Sequence, residues 1–254
     1  MGAFFIALLF HPASRACPAP GPTRTVDVAR IVDGDTLRLR DGRSLRLIGI
    51  NAPELDPRGR SGPEPYAQAA RQRLDELVTA NGGRVALYPQ RPEKDRYGRS
   101  LVHLFDAQGN NLEAQLLAAG LGHFVAFAPA SAIAPCQQAS ERRAREAAVG
   151  LWAGAGPGTA KALGRSGFAL LQGRIGSLQR NAGGVWLELD EALVLRVPPE
   201  HLEIFAPLLA EAAPGRRVEV RGWVVERRGG QASEGRGRRW LLTLSDPLML
   251  SWLD

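Results

Sequence analysis

The sequence predicts a mainly β protein with several helices, an α+β fold divided into two structural units. Short runs of alternating apolar and polar residues are separated by Gly, Pro, Asn and Asp turn signals, which is typical of strands. Three segments of the first unit are predicted to be helices, and the one at 64–80 has apolar residues on one face. A Gly/Ala-rich stretch at 155–167 separates the two sets of elements, and 254 residues suffice for two small domains.

The first unit, residues 26–154, is predicted to alternate strands and helices. The helix over 64–80 has Tyr66, Ala70, Leu74 and Leu77 on one face. Residues 55–65 are rich in Gly, Pro and Arg and are predicted to form a loop. The predicted strands cover 26–39 (interrupted at 33–35), 44–50, 84–88 and 100–105, and the other helices cover 112–119 and 136–148.

The second unit, residues 168–254, has the order three strands, a helix and two strands. This is the chain order of a five-stranded barrel of the oligonucleotide-binding (OB) type. The predicted strands cover 168–175, 185–189, 193–197, 217–225 and 239–244, with a helix over 199–213. Four tryptophans (Trp186, Trp223, Trp240 and Trp252) and an arginine cluster at 216–239 leave two interpretations open. Either aromatic rings stack bases beside a basic groove, or the tryptophans are core and the arginines line a hairpin.

Composition favours a polyanionic partner and argues against a cysteine- or histidine-based metal site. The net charge is +6, which favours nucleic acid, although only Lys94 and Lys161 are lysines and an arginine-rich composition could also produce it. The four histidines are scattered and show no zinc-ligand spacing. Two cysteines are too few for a framework of several disulfides or for a cysteine-rich zinc site.

The N-terminus predicts export to the periplasm or the medium. Residues 1–16 resemble a signal peptide: an apolar run ends in Ser14-Arg15-Ala16, where a peptidase could cut, and 17–25 form a Pro-rich linker. Cutting there would leave Cys17 first, as in a lipoprotein, but Ser14 and Arg15 fit a lipidation signal poorly. Without a partner at Cys17, Cys136 is expected to be a lone, buried thiol.

Three short segments carry the functional signal. They are Val32–Thr36 (VDGDT), Arg46–Glu54 (RLIGINAPE) and Asp95–Arg99 (DRYGR). Their order and spacing resemble the staphylococcal nuclease (thermonuclease) family over residues 26–154, about half of the chain. The resemblance implies an OB-type five-stranded barrel with three helices, and hydrolysis of phosphodiester bonds in DNA and RNA that leaves 3′-phosphate ends.

The chemistry explains why such residues are needed. Charge concentrates on the phosphate oxygens in the transition state, and fixed cationic donors stabilise it. A guanidinium contacts two phosphate oxygens at once, so Arg46 and Arg99 are the candidates. The resemblance implies that Glu54 is the general base for the attacking water. Arg96 and Tyr97 are expected to contact the substrate.

The predicted metal is Ca²⁺, held by oxygen ligands. The candidates are the Asp35 carboxylate, the main-chain carbonyl of Thr36 and the amide of Asn51. Asn51 stands where the family usually has a second Asp, and Ala52 replaces a Thr, so calcium is expected to bind weakly. Either the site works at higher calcium, or the domain is degenerate and only binds nucleic acid.

Each of these residues also has a purely structural alternative. Asp33 and Asp35 could shape a turn, and Arg46 could face solvent. Glu54 could pair with Arg58, and Arg99 with Asp95. His103 and His123 are expected to be structural. The joint spacing favours the catalytic interpretation. Together with the predicted leader it indicates an exported nuclease, and no stable protein partner is implied. The alternatives are a weakened nucleic-acid-binding module and an envelope scaffold.

Overall fold

A computed structural model describes residues 17–56, 62–127, 129–154, 156–227 and 240–253. The predicted leader and most of the predicted arginine-rich hairpin after Arg227 lie outside these residues, as does Arg58. Within the described part of the chain, none of the helices combines the length and the apolar character that crossing a bilayer requires.

The first unit contains a closed barrel of five strands. Neighbouring strands run in the order β1-β2-β3-β6-β5, and only the β3–β6 contact is parallel. The short β4 lies outside the barrel and pairs with β7. The strands are β1 (Arg24–Ile31), β2 (Thr36–Leu39), β3 (Ser44–Leu47), β4 (Ile50–Asn51), β5 (Arg84–Lys94), β6 (Ser100–Phe105) and β7 (His123–Phe124).

Three helices pack around this barrel, as the sequence predicted: α1 (Ala67–Ala80), α2 (Leu112–Ala118) and α3 (Ala134–Glu146). Helix α1 buries Ala70, Leu74 and Leu77 at the expected helical spacing. Tyr66 does not share this face, because it precedes the helix with a φ of 67° and is 42% exposed. Helix α2 begins where the Asn111 side chain accepts a hydrogen bond from the Ala114 amide, an N-cap.

The second unit repeats the strand circuit of the first. Strands β9, β10, β11, β13 and β12 pair in a ring that closes through β12–β9, and only β11–β13 is parallel. Helix α4 (Leu202–Ala210) lies between β11 and β12 in the chain, at the OB position. The strands are β8 (Gly158–Thr159), β9 (Gly167–Asn181), β10 (Gly184–Leu189), β11 (Leu193–Val197), β12 (Arg217–Glu226), β13 (Trp240–Thr243) and β14 (Leu250–Leu253).

The two barrels share a continuous hydrophobic core and a buried ionic seam. Arg221 on β12 donates to the Glu141 carboxylate on α3 at 2.5 Å and to the Phe124 carbonyl at 3.2 Å. Both terminal nitrogens of Arg145 donate to Glu219 at 2.7 Å. Glu141, Glu219 and Arg221 are all less than 10% exposed, so these pairs are desolvated, and removing one partner would leave a buried charge unpaired.

Cys136 was expected to be a lone thiol only without a partner at Cys17, and the structure shows that Cys17 is its partner. Cys17 and Cys136 form a disulfide with a Cα–Cα distance of 5.5 Å and a sequence separation of 119 residues. The bond ties the segment before β1 to helix α3. Counting cysteines could not reveal this pairing, because it depends on the chain bringing residue 17 back across the barrel.

Candidate active site

The VDGDT turn between β1 and β2 directs one carboxylate into the barrel rim. The amides of Val32 and Asp33 donate to the Thr36 carbonyl at 2.9 and 3.2 Å, and the Asp35 amide donates to Asp33 Oδ1 at 2.9 Å. A Cβ on Gly34 would lie 2.6 Å from the Cβ atoms of both Ala52 and Ala70. Glycine therefore lets the turn lie against these residues, with the Asp35 side chain almost fully buried.

Asp35 is held by three other groups. One oxygen, Oδ1, contacts the Arg46 guanidinium and accepts from the Thr36 hydroxyl at 3.1 Å. The other, Oδ2, accepts from the Ala52 amide at 2.8 Å. The same Arg46 donates to Asn51 Oδ1 at 3.4 Å. Asp35, Arg46 and Asn51 thus come together as predicted, and Arg46 faces the site and not solvent.

The second arginine approaches from the loop between β5 and β6. The Nε of Arg99 donates to Asp95 Oδ2 at 2.7 Å, and its Nη1 donates to the Thr36 hydroxyl at 3.4 Å. The pairing with Asp95 therefore exists, and it positions the guanidinium beside the VDGDT turn. The ion pair with Asp95, which was the structural alternative for Arg99, is therefore compatible with the functional role, because it holds the guanidinium beside the turn.

Charge interactions link the arginines to Asp33 and Glu54. Burial, followed by repulsion from Arg99, lowers the pKa of Arg46 to about 10, so it remains charged at neutral pH. Burial raises the pKa of Asp33, against the attraction of Arg46. Burial and then the nearby Asp33 raise the pKa of Glu54, again opposed by Arg46. A carboxylate with a raised pKa is a stronger base, which suits proton abstraction from water.

Glu54 lies at the exposed edge of this group, beyond Ala52 and Pro53. Its amide donates to Glu64 Oε2 at 3.0 Å, and the Glu64 amide donates to its carbonyl at 2.9 Å. These two bonds join Glu54 to Glu64 and hold the Glu54 backbone. Glu54 is exposed and interacts electrostatically with Arg46.

Arg96 and Tyr97 lie on the surface next to Arg99. Tyr97 is 68% exposed, and the guanidinium groups of Arg96 and Arg99 lie 4.8 and 5.5 Å from its ring centre. Arg96 also donates to the Tyr97 hydroxyl at 2.7 Å. Tyr97 therefore contributes little to packing. Its ring contacts two guanidinium groups, which form a cationic surface next to the site.

The donor atoms fit a hard cation in type but supply little charge. Asp35 and Asn51 offer oxygen atoms on either side of Arg46. Among the described residues, no three His, Cys, Asp or Glu side chains are grouped closely enough to hold a metal. The Thr36 carbonyl already accepts two amide hydrogen bonds, which occupy its two lone pairs, so its predicted role as a ligand fits poorly.

Sequence reasoning did not assign a site role to Asp33 or Asp95. Asp33 is the carboxylate that couples electrostatically to both Arg46 and Glu54. Asp95 positions Arg99 through its side chain and shapes the loop by accepting the Tyr97 and Arg99 amides. The signal available in the sequence was their place within VDGDT and DRYGR. Both were interpreted there as turn or pairing residues, and they are indeed turn residues as well.

The first unit is thus an α+β domain in which a five-stranded barrel with three helices carries an arginine–carboxylate cluster at its rim. Residues 44–154 match the family model described as staphylococcal nuclease homologue. The matched segment begins at Ser44. Asp33, Asp35 and Thr36 therefore precede it, although the barrel places them against Arg46.

Curated relatives agree with this assignment. An uncharacterized endonuclease of Escherichia coli O157:H7 is 28% identical over 133 residues, which cover 51% of this chain and 78% of that protein. Thermonuclease of Staphylococcus hyicus is 34% identical over 85 residues, covering 32% of this chain and 48% of that protein. Thermonuclease of Staphylococcus intermedius is 36% identical over 81 residues, covering 31% and 46%.

Proposed function

We propose that the protein is an exported nuclease that hydrolyses phosphodiester bonds of DNA and RNA with little sequence specificity. The observation that carries this proposal is the convergence of Arg46 and Arg99 on the Asp35–Thr36 turn, with Glu54 at the open edge. Two fixed guanidinium groups beside a base of raised pKa match the needs of phosphate hydrolysis. The relatives named endonuclease and thermonuclease support the same chemistry.

In the proposed reaction, Arg46 and Arg99 bind the non-bridging oxygens of the scissile phosphate. Glu54 takes a proton from a water molecule, whose oxygen forms a bond to phosphorus. The bond from phosphorus to the 5′ oxygen breaks, and this oxygen takes a proton from solvent. The products are a 3′-phosphate and a 5′-hydroxyl. Arg46 is preoriented by Asp35 and Asn51, and Arg99 by Asp95.

Asp35 and Asn51 are the residues that would hold a calcium ion, with Asp33 and Glu54 contributing charge nearby. A bound calcium would offset phosphate charge and orient the attacking water. One carboxylate and one amide give low ligand charge, which predicts weak binding in the range of extracellular sites, at roughly 10⁻⁴ to 10⁻³ M or above. Such affinity suits an enzyme that works outside the cell.

The disulfide supports export to an oxidising compartment, because such bonds are rare in reducing cytosol. It also supports a form without a lipid at Cys17, since a sulfur bonded to Cys136 cannot carry a thioether-linked lipid. We therefore propose a periplasmic or secreted protein.

The test uses the full chain, incubated with plasmid and with single-stranded DNA while calcium is varied from micromolar to tens of millimolar. We expect cleavage that depends on calcium, and products with 3′-phosphate ends by mass spectrometry. Arg46→Ala and Glu54→Gln should each lower kcat by a factor of about 100 or more. Arg43→Ala and Glu76→Gln are matched controls on the surface of the same unit and should cleave normally. Cleavage that survives in Arg46→Ala would remove the residue assignment.

The second candidate is a nucleic-acid-binding module without activity. The observation that favours it is that Asp35 is already occupied by Arg46, Thr36 and Ala52. Binding of DNA with no cleavage at any calcium concentration would establish this alternative. An envelope scaffold would show neither binding nor cleavage.

A further inference from the structure

A row of aromatic rings lies across the junction of the two barrels. Phe127 and Trp223 are stacked with centroids 5.4 Å apart and planes inclined by 24°. They are 52% and 38% exposed, so this stack faces solvent. Phe168 pairs with Trp223 across β9 and β12, with its ring 5.4 Å away, and His123 lies 5.3 Å beyond Phe168.

The inner end of the row borders the candidate active site. His123 on β7 is the antiparallel partner of Asn51 on β4. Phe127 follows β7 by three residues, and the Phe124 amide is fixed by Glu141 at 2.7 Å. The row therefore starts one strand away from the proposed phosphate site and runs outward onto the second barrel.

Two exposed arginines lie near the end of β12, and the cleft beside the stack is mostly apolar. Arg227 follows Trp223 and Val225 at the end of β12, and Glu226 alternates to the opposite face of that strand. Arg165 lies before β9 and reaches Glu64, on the loop after Glu54, at 3.8 Å. A cleft of about 260 Å³ opens beside the stack. Its lining includes Phe127, Trp223, Val225, Thr243, Ser245 and Met249.

We propose that Phe127 and Trp223 form a base-stacking site for unpaired nucleotides that flank the bond to be cleaved. The ligand is single-stranded DNA or RNA, because only unpaired bases offer an open face to an aromatic stack. Exposed flat rings with arginines nearby match the bases and phosphates of such a strand. A duplex has no free base face and would contact only the arginines. This inference rests on the proposed function for its direction, since the adjacent site orients the strand.

The test measures binding by the full chain in chelator, so that no cleavage interferes. The probe is a fluorescent thymidine oligonucleotide of about 12 nucleotides, compared with a duplex of the same length by anisotropy. Trp223→Ala and Phe127→Ala should each weaken single-strand binding about tenfold, within the range expected for one stacked base. Trp223→Phe keeps a ring and should keep most of the affinity. Ile204→Ala, at an exposed apolar residue on α4, is the matched control and should bind normally.

A second measurement identifies the contact directly. An oligonucleotide with iodouracil at successive positions is cross-linked to the protein, and the labelled peptides are found by mass spectrometry. We expect cross-links to Phe127 or Trp223 at a restricted set of positions. The thermal midpoints of the variants must match that of the unchanged protein, which separates lost stacking from lost folding.

The outcomes of the two proposals are distinguishable. Affinity reduced less than twofold in the Trp223→Ala, Phe127→Ala double variant would overturn the stacking site, even if the protein cleaves DNA. An equal loss of duplex binding would also overturn it, because this would indicate a general electrostatic or folding defect. Ring-dependent single-strand binding by a protein that does not cleave would keep the stacking site and remove the nuclease.

Discussion

At the level of single residues, Arg46 is the side chain on which the electrostatics of the site depend. It contacts Asp35, donates to Asn51 and lowers the pKa values of Asp33 and Glu54 relative to burial alone. Its partners come from separate stretches of the chain. The short motifs identified Arg46 as a functional candidate because it lies within one of them. The electrostatic role of Asp33 depends on contacts that only the fold creates.

Asn51→Asp tests whether the missing carboxylate sets the calcium requirement. A second negative ligand beside Asp35 should lower the calcium concentration for half-maximal cleavage about tenfold, since charge count tunes affinity. Calcium titration of the cleavage rate measures this effect. Gln108→Glu adds the same charge to an exposed part of the first unit and should leave the requirement unchanged. An unaltered requirement in Asn51→Asp would place the metal elsewhere.

His123 should make folding sensitive to acid. Burial, then repulsion from Arg221 and Arg145, lowers its pKa to about 4, against 6.5 for an unperturbed histidine. The unfolded state therefore binds the proton first as pH falls below 6.5, so stability is full above that value and declines towards pH 4. The loss should approach about 3 kcal/mol.

Urea denaturation of wild type and His123→Phe between about pH 4 and 8 isolates this contribution. The phenyl ring preserves the contacts with Trp152 and Phe168 but cannot titrate. We expect the stability difference between the two proteins to change by about 3 kcal/mol across this range. His201→Gln, in which His123 still titrates, should follow wild type. A constant difference between wild type and His123→Phe contradicts the assignment.

At the level of elements, residue patterns predicted most strands and helices, and tertiary contacts decided the rest. Ser100–Phe105 has the predicted bounds because alternation and turn residues agree there. The predicted strand 44–50 divides at Gly49, where φ is +81° and a Cβ would collide with Gln137 of α3. Strands β8 and β14 were missed, because both are short and gain their order only by pairing with β9 and β12.

Gly34→Ala tests the packing of the VDGDT turn. The added methyl would overlap Ala52 and Ala70, so the turn must shift and carry Asp35 with it. We expect a loss of about 1–3 kcal/mol in the free energy of unfolding, together with reduced cleavage. Denaturation and rate measurements on the same preparation show both effects. Gly164→Ala, with no atoms near the added methyl, is the control. Normal stability in Gly34→Ala would mean that the turn tolerates a side chain.

At the level of the whole molecule, the two barrels form one structure through a core and a seam that the sequence did not indicate. The boundaries at 155–167 and 168–254 remain predictions. The buried charges Glu141, Glu219 and Arg221 come from segments far apart, so no local pattern announces their pairing. By contrast, both barrels were predicted from the sequence. The order of elements predicted the barrel of the second unit, and the family resemblance predicted that of the first.

Arg221→Met tests the seam. Removing this charge leaves Glu141 buried without its partner, which should cost about 3–5 kcal/mol at neutral pH. Burial already raises the pKa of Glu141, and loss of Arg221 raises it further. The folded state then binds a proton more readily than the unfolded state, so the deficit should shrink as pH falls and grow as pH rises.

Denaturation at about pH 5 and pH 8 measures the change. Arg217→Met, on the exposed start of the same strand, should be close to wild type at both values. A deficit that does not depend on pH would mean that the loss arises from packing and not from the isolated carboxylate.

The Cys17–Cys136 disulfide makes the stability of the folded protein depend on the redox conditions around it. Closing so long a loop restricts the unfolded chain and is worth about 5 kcal/mol. The bond also anchors α3, which carries the Glu141 and Arg145 side of the seam. Denaturation with and without dithiothreitol should show this difference in the free energy of unfolding. The stability of the Cys17→Ser, Cys136→Ser double variant should not change with the reductant. If the protein is exported as proposed, the reduced and less stable form is the one present in the cytoplasm, and the disulfide forms after export.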